Sequence, residues 1–121
     1  MFVRDLDDCE EFTAGDNCFL RELFNPHRDN LELRYSLAHA TVKPSEITYR
    51  HRLKNSEVYY ILAGEGLMYI DAESRPVKPG QAVYIPPNSI QRIKNTGSSN
   101  LVFLCLVDPA WQPDDEEVLE D

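Results

Sequence analysis

Two stretches decide the predicted fold: SEITYRHRLKNSEVYYILAG at residues 45–64 and GQAVYIPPNSIQRIKN at residues 80–95. Both are rich in β-branched and aromatic residues, which favour strands, and contain glycine, proline and asparagine, which favour turns. The same alternation continues on either side and predicts strands at 31–42, 47–53, 58–62, 67–71, 82–85, 90–94 and 101–107. Strands this short and regularly spaced are typical of a β-sandwich or a β-barrel.

The spacing of residues in the two stretches resembles the two sequence motifs of the cupin family. The first motif, Gly, five residues, His-x-His, three or four residues, Glu, six residues, Gly, matches Ser45, His51, Leu53, Glu57 and Gly64. The second, Gly, five residues, Pro-x-Gly, two residues, His, three residues, Asn, matches Gly80, Pro86, Asn88, Gln91 and Asn95. The resemblance covers about residues 33–107 and implies an all-β fold, the double-stranded β-helix or jelly-roll barrel. The chain is similar to the small, single-domain, mannose-6-phosphate isomerase-like members of the family.

The chain is predicted to form a single cupin domain over residues 1–121, and its 42% of hydrophobic residues are enough for a packed core. We expect an N-terminal strand region at 1–30, a barrel at about 31–108 and an acidic tail at 112–121, the tail being a solvated terminus. A further strand is expected at 18–24, and in similar cupins such a strand often crosses to a second subunit. The resemblance therefore implies a homodimer.

Composition narrows the choice of partners. A formal net charge of −9 disfavours binding of a nucleic-acid backbone or an anionic membrane as a main task, which leaves a small molecule as the expected ligand. No apolar stretch reaches the roughly 18 residues of a membrane-spanning helix, and the acidic N-terminus does not resemble a signal peptide, so we expect a cytoplasmic protein. The three cysteines form no Cys-x-x-Cys pair, which predicts neither a disulfide framework nor a structural zinc site.

Strand alternation predicts which side chains line the pocket. If His51 faces the barrel interior, as the resemblance implies, residues 49, 53, 57 and 59 face the same way. On the strand at 33–42 the odd positions are predicted to face inwards, because the even positions include Arg34 and Ser36, which prefer water. The predicted polar residues of the pocket are His39, Tyr49, His51, Glu57, Tyr59 and Gln91.

The resemblance also implies a metal site of three imidazoles and a carboxylate. This sequence keeps His51 and Glu57 but has Leu53 and Gln91 at the other two positions, and leucine supplies no donor. If His39 replaces a lost imidazole, then His39, His51 and Glu57, with Gln91, are a sufficient set for divalent Fe, Mn, Zn or Ni. The sequence leaves a metal-bound and a metal-free site equally open.

Three functions follow from these alternatives. The favoured one is isomerase-like activity on a small sugar-type or carboxylate ligand, with a divalent metal as the optional cofactor. The second is a metal-free acid–base enzyme of the epimerase or dehydratase type, in which His51 is the base, Glu57 orients it and Tyr49 or Tyr59 is the acid. The third is a cupin that binds a ligand without turnover.

Overall fold

The computed structural model describes residues 1–119 as two antiparallel sheets that enclose one core. Two one-turn 3-10 helices, Leu6–Asp8 and Pro113–Asp115, lie outside the sheets. The architecture confirms the predicted all-β jelly roll. In chain order the strands are β1 (Phe12–Thr13), β2 (Phe19–Phe24), β3 (Ser36–Val42), β4 (His51–Leu53), β5 (Ser56–Ala63), β6 (Gly66–Ile70), β7 (Glu73–Val77), β8 (Ala82–Ile85), β9 (Gln91–Asn95), β10 (Leu101–Asp108) and β11 (Glu116–Val118).

The core lies between a six-stranded sheet of order β1-β2-β3-β10-β5-β8 and a five-stranded sheet of order β11-β4-β9-β6-β7. Alternate residues of the central strands point into it, as β10 shows most regularly. Ile61 and Phe103 from the larger sheet pack with Met68 and Ile93 from the smaller one, and all four are at most 3% exposed. Each such side chain contributes about 1.5–3 kcal/mol through burial.

The spacing of the glycine positions in the motifs reflects the backbone conformation of the turns. The family has glycine at four positions of the two motifs, and here all four have a positive φ: Ser45 at +69°, Gly64 at +84°, Gly80 at +89° and Asn88 at +66°. At Gly64 a Cβ would also lie 2.5 Å from the carbonyl oxygen of Asn100. The left-handed conformation suits glycine, is tolerated by asparagine, and costs a serine about 1–2 kcal/mol.

The predicted strands are found with shifted ends, and three short strands are not predicted by the sequence pattern. The prediction at 82–85 matches β8, and that at 101–107 matches β10 to within one residue. Strands β1, β7 and β11 lack alternating apolar residues because each lies at or next to the edge of its sheet. Edge strands are commonly polar or proline-containing, as β7 is.

The prediction that odd positions of β3 face the interior is wrong. The buried positions are Ser36, Ala40 and Val42, and the register pairs Ala40 with the buried Phe103, whereas His39 pairs with Leu104 on the outer face. Ser36 tolerates burial because its hydroxyl oxygen accepts a hydrogen bond from the Trp111 backbone N–H, at 2.9 Å. Small residues on the inner face of β3 leave room for the large side chains of β10 and β5.

The segment before β4 departs from regular pairing. The Tyr49 N–H donates to the Asp16 carbonyl oxygen at 2.8 Å, and Thr48 exchanges hydrogen bonds with Ile93. As a result the ladder begins only at His51, and the Tyr49 side chain is 36% exposed. The prediction that Tyr49 lines the pocket is therefore wrong.

The terminal segments join the same two sheets. Strand β2 pairs with β3 of its own chain, and β11, inside the predicted solvated tail, pairs with β4. Residues 120 and 121 of that tail lie outside the described part of the chain. The homodimer stays a prediction. Among the described residues no helix has the length and apolar character that crossing a membrane requires.

Candidate functional site

A cavity of about 220 Å³ opens between the two sheets, and several predicted site residues line it. His51 reaches it from β4, and Glu57 and Tyr59 reach it from β5. Apolar walls around these polar groups are usual for a small-molecule site. Residues from outside the two motifs complete the lining, among them Asp16, Trp111 and Glu116.

One side of the cavity is a hydrogen-bonded chain that we call the amide network: Tyr59, Gln91 and Glu57. The Tyr59 hydroxyl donates to Gln91 Oε1 at 2.9 Å, and Gln91 Nε2 donates to Glu57 Oε1 at 2.8 Å. All three residues are at most 6% exposed, and the Tyr59 ring packs on Phe103 with 4.4 Å between centroids. The amide of Gln91 thus fixes Glu57 from behind, away from the cavity.

Burial controls the protonation of Glu57. It raises the pKa of this carboxyl from 4.5 to about 7, although the hydrogen bond from Gln91 and the nearby His51 act in the opposite direction. The second oxygen, Oε2, has no hydrogen-bond partner within residues 1–119. Every fully buried side-chain nitrogen and oxygen of that range has one, so Oε2 lies at the cavity surface. Near neutral pH this oxygen can donate or accept a proton.

The opposite side of the cavity is a group that we call the carboxylate cluster: Asp16 and Glu116 around His51. His51 Nδ1 lies 2.9 Å from the Tyr49 carbonyl oxygen, which can only accept, so Nδ1 carries a hydrogen. In the neutral imidazole the lone pair is then on Nε2, which lies 3.5 Å from Asp16 Oδ2 and 3.9 Å from Glu116 Oε2. The two carboxylates stabilise the imidazolium that forms if Nε2 takes up a proton.

The cluster depends on both terminal segments. Asp16 lies in the turn between β1 and β2, where its Oδ1 accepts from the Cys18 N–H at 3.3 Å. Glu116 is the first residue of β11 and pairs with Leu53 across the sheet edge, and burial raises the pKa of its carboxyl. The sequence reasoning misses both residues, because neither belongs to a motif and each lies among other acidic residues.

The structure brings together four of the six predicted pocket residues, His51, Glu57, Tyr59 and Gln91. It does not bring His39 to the pocket, because His39 lies on the outer face of β3. Tyr49 contributes its carbonyl oxygen to the site. This oxygen orients the His51 imidazole, a role that the sequence analysis gave to Glu57.

The residues present do not fit the metal site of the motif. Leu53 is buried in the cavity wall, and both ends of the Gln91 amide are committed to Tyr59 and Glu57. The motif positions therefore supply two strong donors, one of which already accepts a hydrogen bond. Within residues 1–119 no group of three or more His, Cys, Asp or Glu side chains is placed to hold a metal ion.

Two cysteines also line the cavity, but they are poor nucleophiles. Cys18 and Cys105 are both buried, and burial raises the pKa of each thiol well above its usual value. The thiolate is the reactive form of cysteine, so both side chains act here as small apolar wall residues.

The two-sheet barrel with its interior polar pocket defines the class of protein to which this chain belongs. The profile of the cupin domain matches residues 38–107, and the chain is a member of the cupin family. An uncharacterized protein of Methanocaldococcus jannaschii is 37% identical over 115 residues, covering 94% of this chain and 91% of that protein. The glucose-6-phosphate isomerase of Thermococcus gammatolerans is 30% identical over 102 residues, covering 80% of this chain. The chain spans about half of that relative, 49% of its length.

A solved structure shares the fold at lower identity. The Streptomyces protein Pac13, described as a unique nucleoside dehydratase, superposes with a TM-score of 0.79 at 16% identity. The superposition covers 99% of this chain and 92% of that one. At 16% identity this similarity shows that the two proteins share the barrel fold and nothing about a shared activity.

Proposed function

We propose that this protein is a small-molecule enzyme of the isomerase kind, in which His51 and Glu57 move protons within a ligand held in the cavity. One observation carries the proposal: the Tyr49 carbonyl fixes the His51 tautomer, so that Nε2 faces the cavity that Glu57 also lines. The name of the isomerase relatives from Thermococcus supports the same reaction class.

The geometry suits the transfer of hydrogen between two neighbouring carbon atoms. His51 Nε2 takes the proton from the carbon beside a carbonyl group, while protonated Glu57 gives its Oε2 proton to the carbonyl oxygen, which yields an enediol. The imidazolium then gives its proton to the former carbonyl carbon, while the hydroxyl group on the carbon that first lost its proton gives its own proton to Glu57 and becomes the new carbonyl, which completes the isomerisation. Asp16 and Glu116 stabilise the intermediate imidazolium, since their oxygens lie within 4 Å of Nε2.

The amide network holds the acid in place. Burial raises the pKa of Tyr59 well above its ordinary value, so its hydroxyl stays protonated and keeps donating to Gln91. Gln91 in turn keeps Glu57 Oε1 occupied and leaves Oε2 as its reactive oxygen. In this proposal Tyr59 is a positioning residue and not the acid itself, and no step requires the divalent metal of the favoured sequence prediction.

The test is the exchange of a carbon-bound proton with solvent. The protein, treated with a chelator, is incubated in D₂O with glyceraldehyde, xylose, glucose and glucosamine, and the signal of the hydrogen at C2 is followed by NMR. We expect exchange with at least one of these compounds and a loss of about 100-fold or more for His51→Gln, in the range of general-base catalysis. His39→Gln is the matched control, because His39 lies on the outer face of the sheet, and it leaves the rate unchanged.

Two results contradict the proposal. One is the absence of exchange with all four compounds, and the other is an equal rate for wild type and His51→Gln. Recovery of exchange only after addition of a divalent metal contradicts the metal-independent mechanism in particular. Ligand binding without any exchange supports the non-catalytic alternative.

A further inference from the structure

The geometry points to a ligand with a cationic amino group: the cavity selects small amines over neutral or anionic molecules of the same size. The inference deepens the proposed function, because it concerns the ligand of the same site. It rests on the charges of the lining residues, on one carboxylate oxygen without a partner and on the apolar remainder of the wall.

The charges that face the cavity are almost all negative. The described residues that line it include four carboxylates, Asp16, Glu22, Glu57 and Glu116, and neither lysine nor arginine. Glu22 is balanced outside the cavity, where it accepts from Asn25 at 2.9 Å and pairs with Arg28 at 3.4 Å. Three carboxylates remain, of which Glu116 also accepts a side-chain hydrogen bond from Trp111. Among the described lining residues, His51 is the one group able to carry a positive charge.

The partnerless oxygen of Glu57 is the second observation. The residue is 6% exposed, its Oε1 is occupied by Gln91, and its Oε2 faces the cavity with no donor from the described part of the chain. A buried carboxylate without a donor is costly, and so is the approach of another negative group. An ammonium group supplies both a positive charge and N–H donors to Asp16, to Glu116 and to Glu57 in its ionised form.

The rest of the wall limits the size and shape of the ligand. Apolar and aromatic side chains, including Phe12, Leu20 and Trp111, face the same space, and an aromatic face favours a nearby cation. The volume of about 220 Å³ is below the roughly 300–1,000 Å³ of pockets for drug-sized molecules. A basic residue close to the site points elsewhere: Arg52 pairs with Glu117 on the outer surface. Apart from His51, the described residues that line the cavity thus offer no cationic side chain to a phosphate or carboxylate group.

Binding of two matched series of probes tests the inference. The first is glucosamine, glucose and glucuronate, and the second is cyclohexylamine, cyclohexanol and cyclohexanecarboxylate, each titrated at pH 7 by calorimetry. In at least one series we expect the amine to bind about tenfold more tightly than the alcohol, and the anion to bind more weakly than both. Asp16→Asn and Glu116→Gln should each weaken amine binding about tenfold. Glu117→Gln, next to Glu116 on β11 but facing outwards, is the matched control and leaves the affinity unchanged.

Equal affinities within both series, tighter binding of the anions, or no binding of either amine below about 10 mM would each overturn the inference. The comparison of amine with alcohol uses the wild-type protein, so it holds even if a variant fails to fold. The proposed function is tested separately by proton exchange. Exchange without amine preference removes this inference alone, and amine binding without exchange removes the proposed function alone.

Discussion

The amide network and the carboxylate cluster flank one cavity, but they come from different parts of the chain. Tyr59, Gln91 and Glu57 lie on β5 and β9, inside the region that matches the family, and direct hydrogen bonds join them. In the cluster, Asp16 and Glu116 lie outside that region and approach His51 without a contact closer than 3.5 Å. On the proposed function, the barrel supplies a hydrogen-bonded inner wall, while the terminal segments supply two carboxylates that the ligand can meet.

The largest expected effect is the loss of stability when the amide network is broken. Gln91→Leu leaves the Glu57 carboxylate without a donor and the Tyr59 hydroxyl without an acceptor, both of them buried. We expect a loss of about 3–5 kcal/mol in the free energy of unfolding at pH 8, measured by urea denaturation, and a smaller loss at pH 5. Gln112→Leu, an exposed glutamine without a side-chain cap hydrogen bond, is the control. A loss below about 1 kcal/mol for Gln91→Leu would show that the network does not hold the inner wall.

The second largest expected effect is the dependence of the unfolding free energy on pH that Glu57 causes. Its folded pKa of about 7 lies above the ordinary 4.5, so between these values the folded state keeps a proton that the unfolded state has lost. The stabilisation from the protonated group is complete below pH 4.5 and is lost as the pH rises to 7. Glu57→Gln does not titrate, so we expect it to be more stable than wild type by about 3 kcal/mol at pH 8 and equal to it at pH 4.

Denaturation of both proteins across pH 4–8 measures this difference. The exposed Glu73→Gln is the control, and it should follow the wild-type curve. A constant difference between Glu57→Gln and wild type over the whole range would mean that the carboxyl is not shifted by burial.

How much of this the sequence could predict depends on the region. Motif spacing identified the barrel, Glu57 and Gln91 of the amide network, and His51 of the carboxylate cluster. The spacing was informative because each glycine position of the motifs, Ser45, Gly64, Gly80 and Asn88, has a positive φ. Alternation was reliable within β4 and β5 but failed at Tyr49, just before β4, and on β3. On β3 the polar Ser36 is buried, because its hydroxyl accepts a hydrogen bond from a backbone N–H. Polarity alone does not show which face of a strand carries a satisfied hydroxyl.

The sequence could not show which acidic residues of the terminal segments reach the cavity, for another reason. Glu116 lies in a run of acidic residues that composition assigns to a solvated tail, and nothing local distinguishes it from Glu117. Only the pairing of β11 with β4 places one of them at the cavity and the other in solvent.

Removal of β11 tests whether the terminal segment serves the site more than the fold. A chain ending at Gln112 loses the three-residue pairing with β4 and the hydrogen bond from the Lys54 N–H to the Asp115 carbonyl oxygen. We expect a decrease of about 1–2 kcal/mol in unfolding free energy, because the freed backbone groups of β4 become hydrated. Proton exchange should fall at least tenfold as Glu116 is lost. A chain that unfolds completely, or one with unchanged exchange, would contradict this division of roles.

The smallest effect should come from the ion pair that joins the same two strands on the outside. Both Arg52 Nε and Nη2 lie 2.6 Å from Glu117 Oε1, but the side chains are 43% and 56% exposed. Exposed pairs contribute about 0–1 kcal/mol, because water screens the charges and ordering the two side chains costs entropy. We therefore expect Arg52→Gln to lower the unfolding free energy by less than about 1 kcal/mol, and Glu117→Gln to have no further effect in that background. A loss above about 2 kcal/mol would mean that charge, and not backbone pairing, holds β11 and hence Glu116 at the cavity.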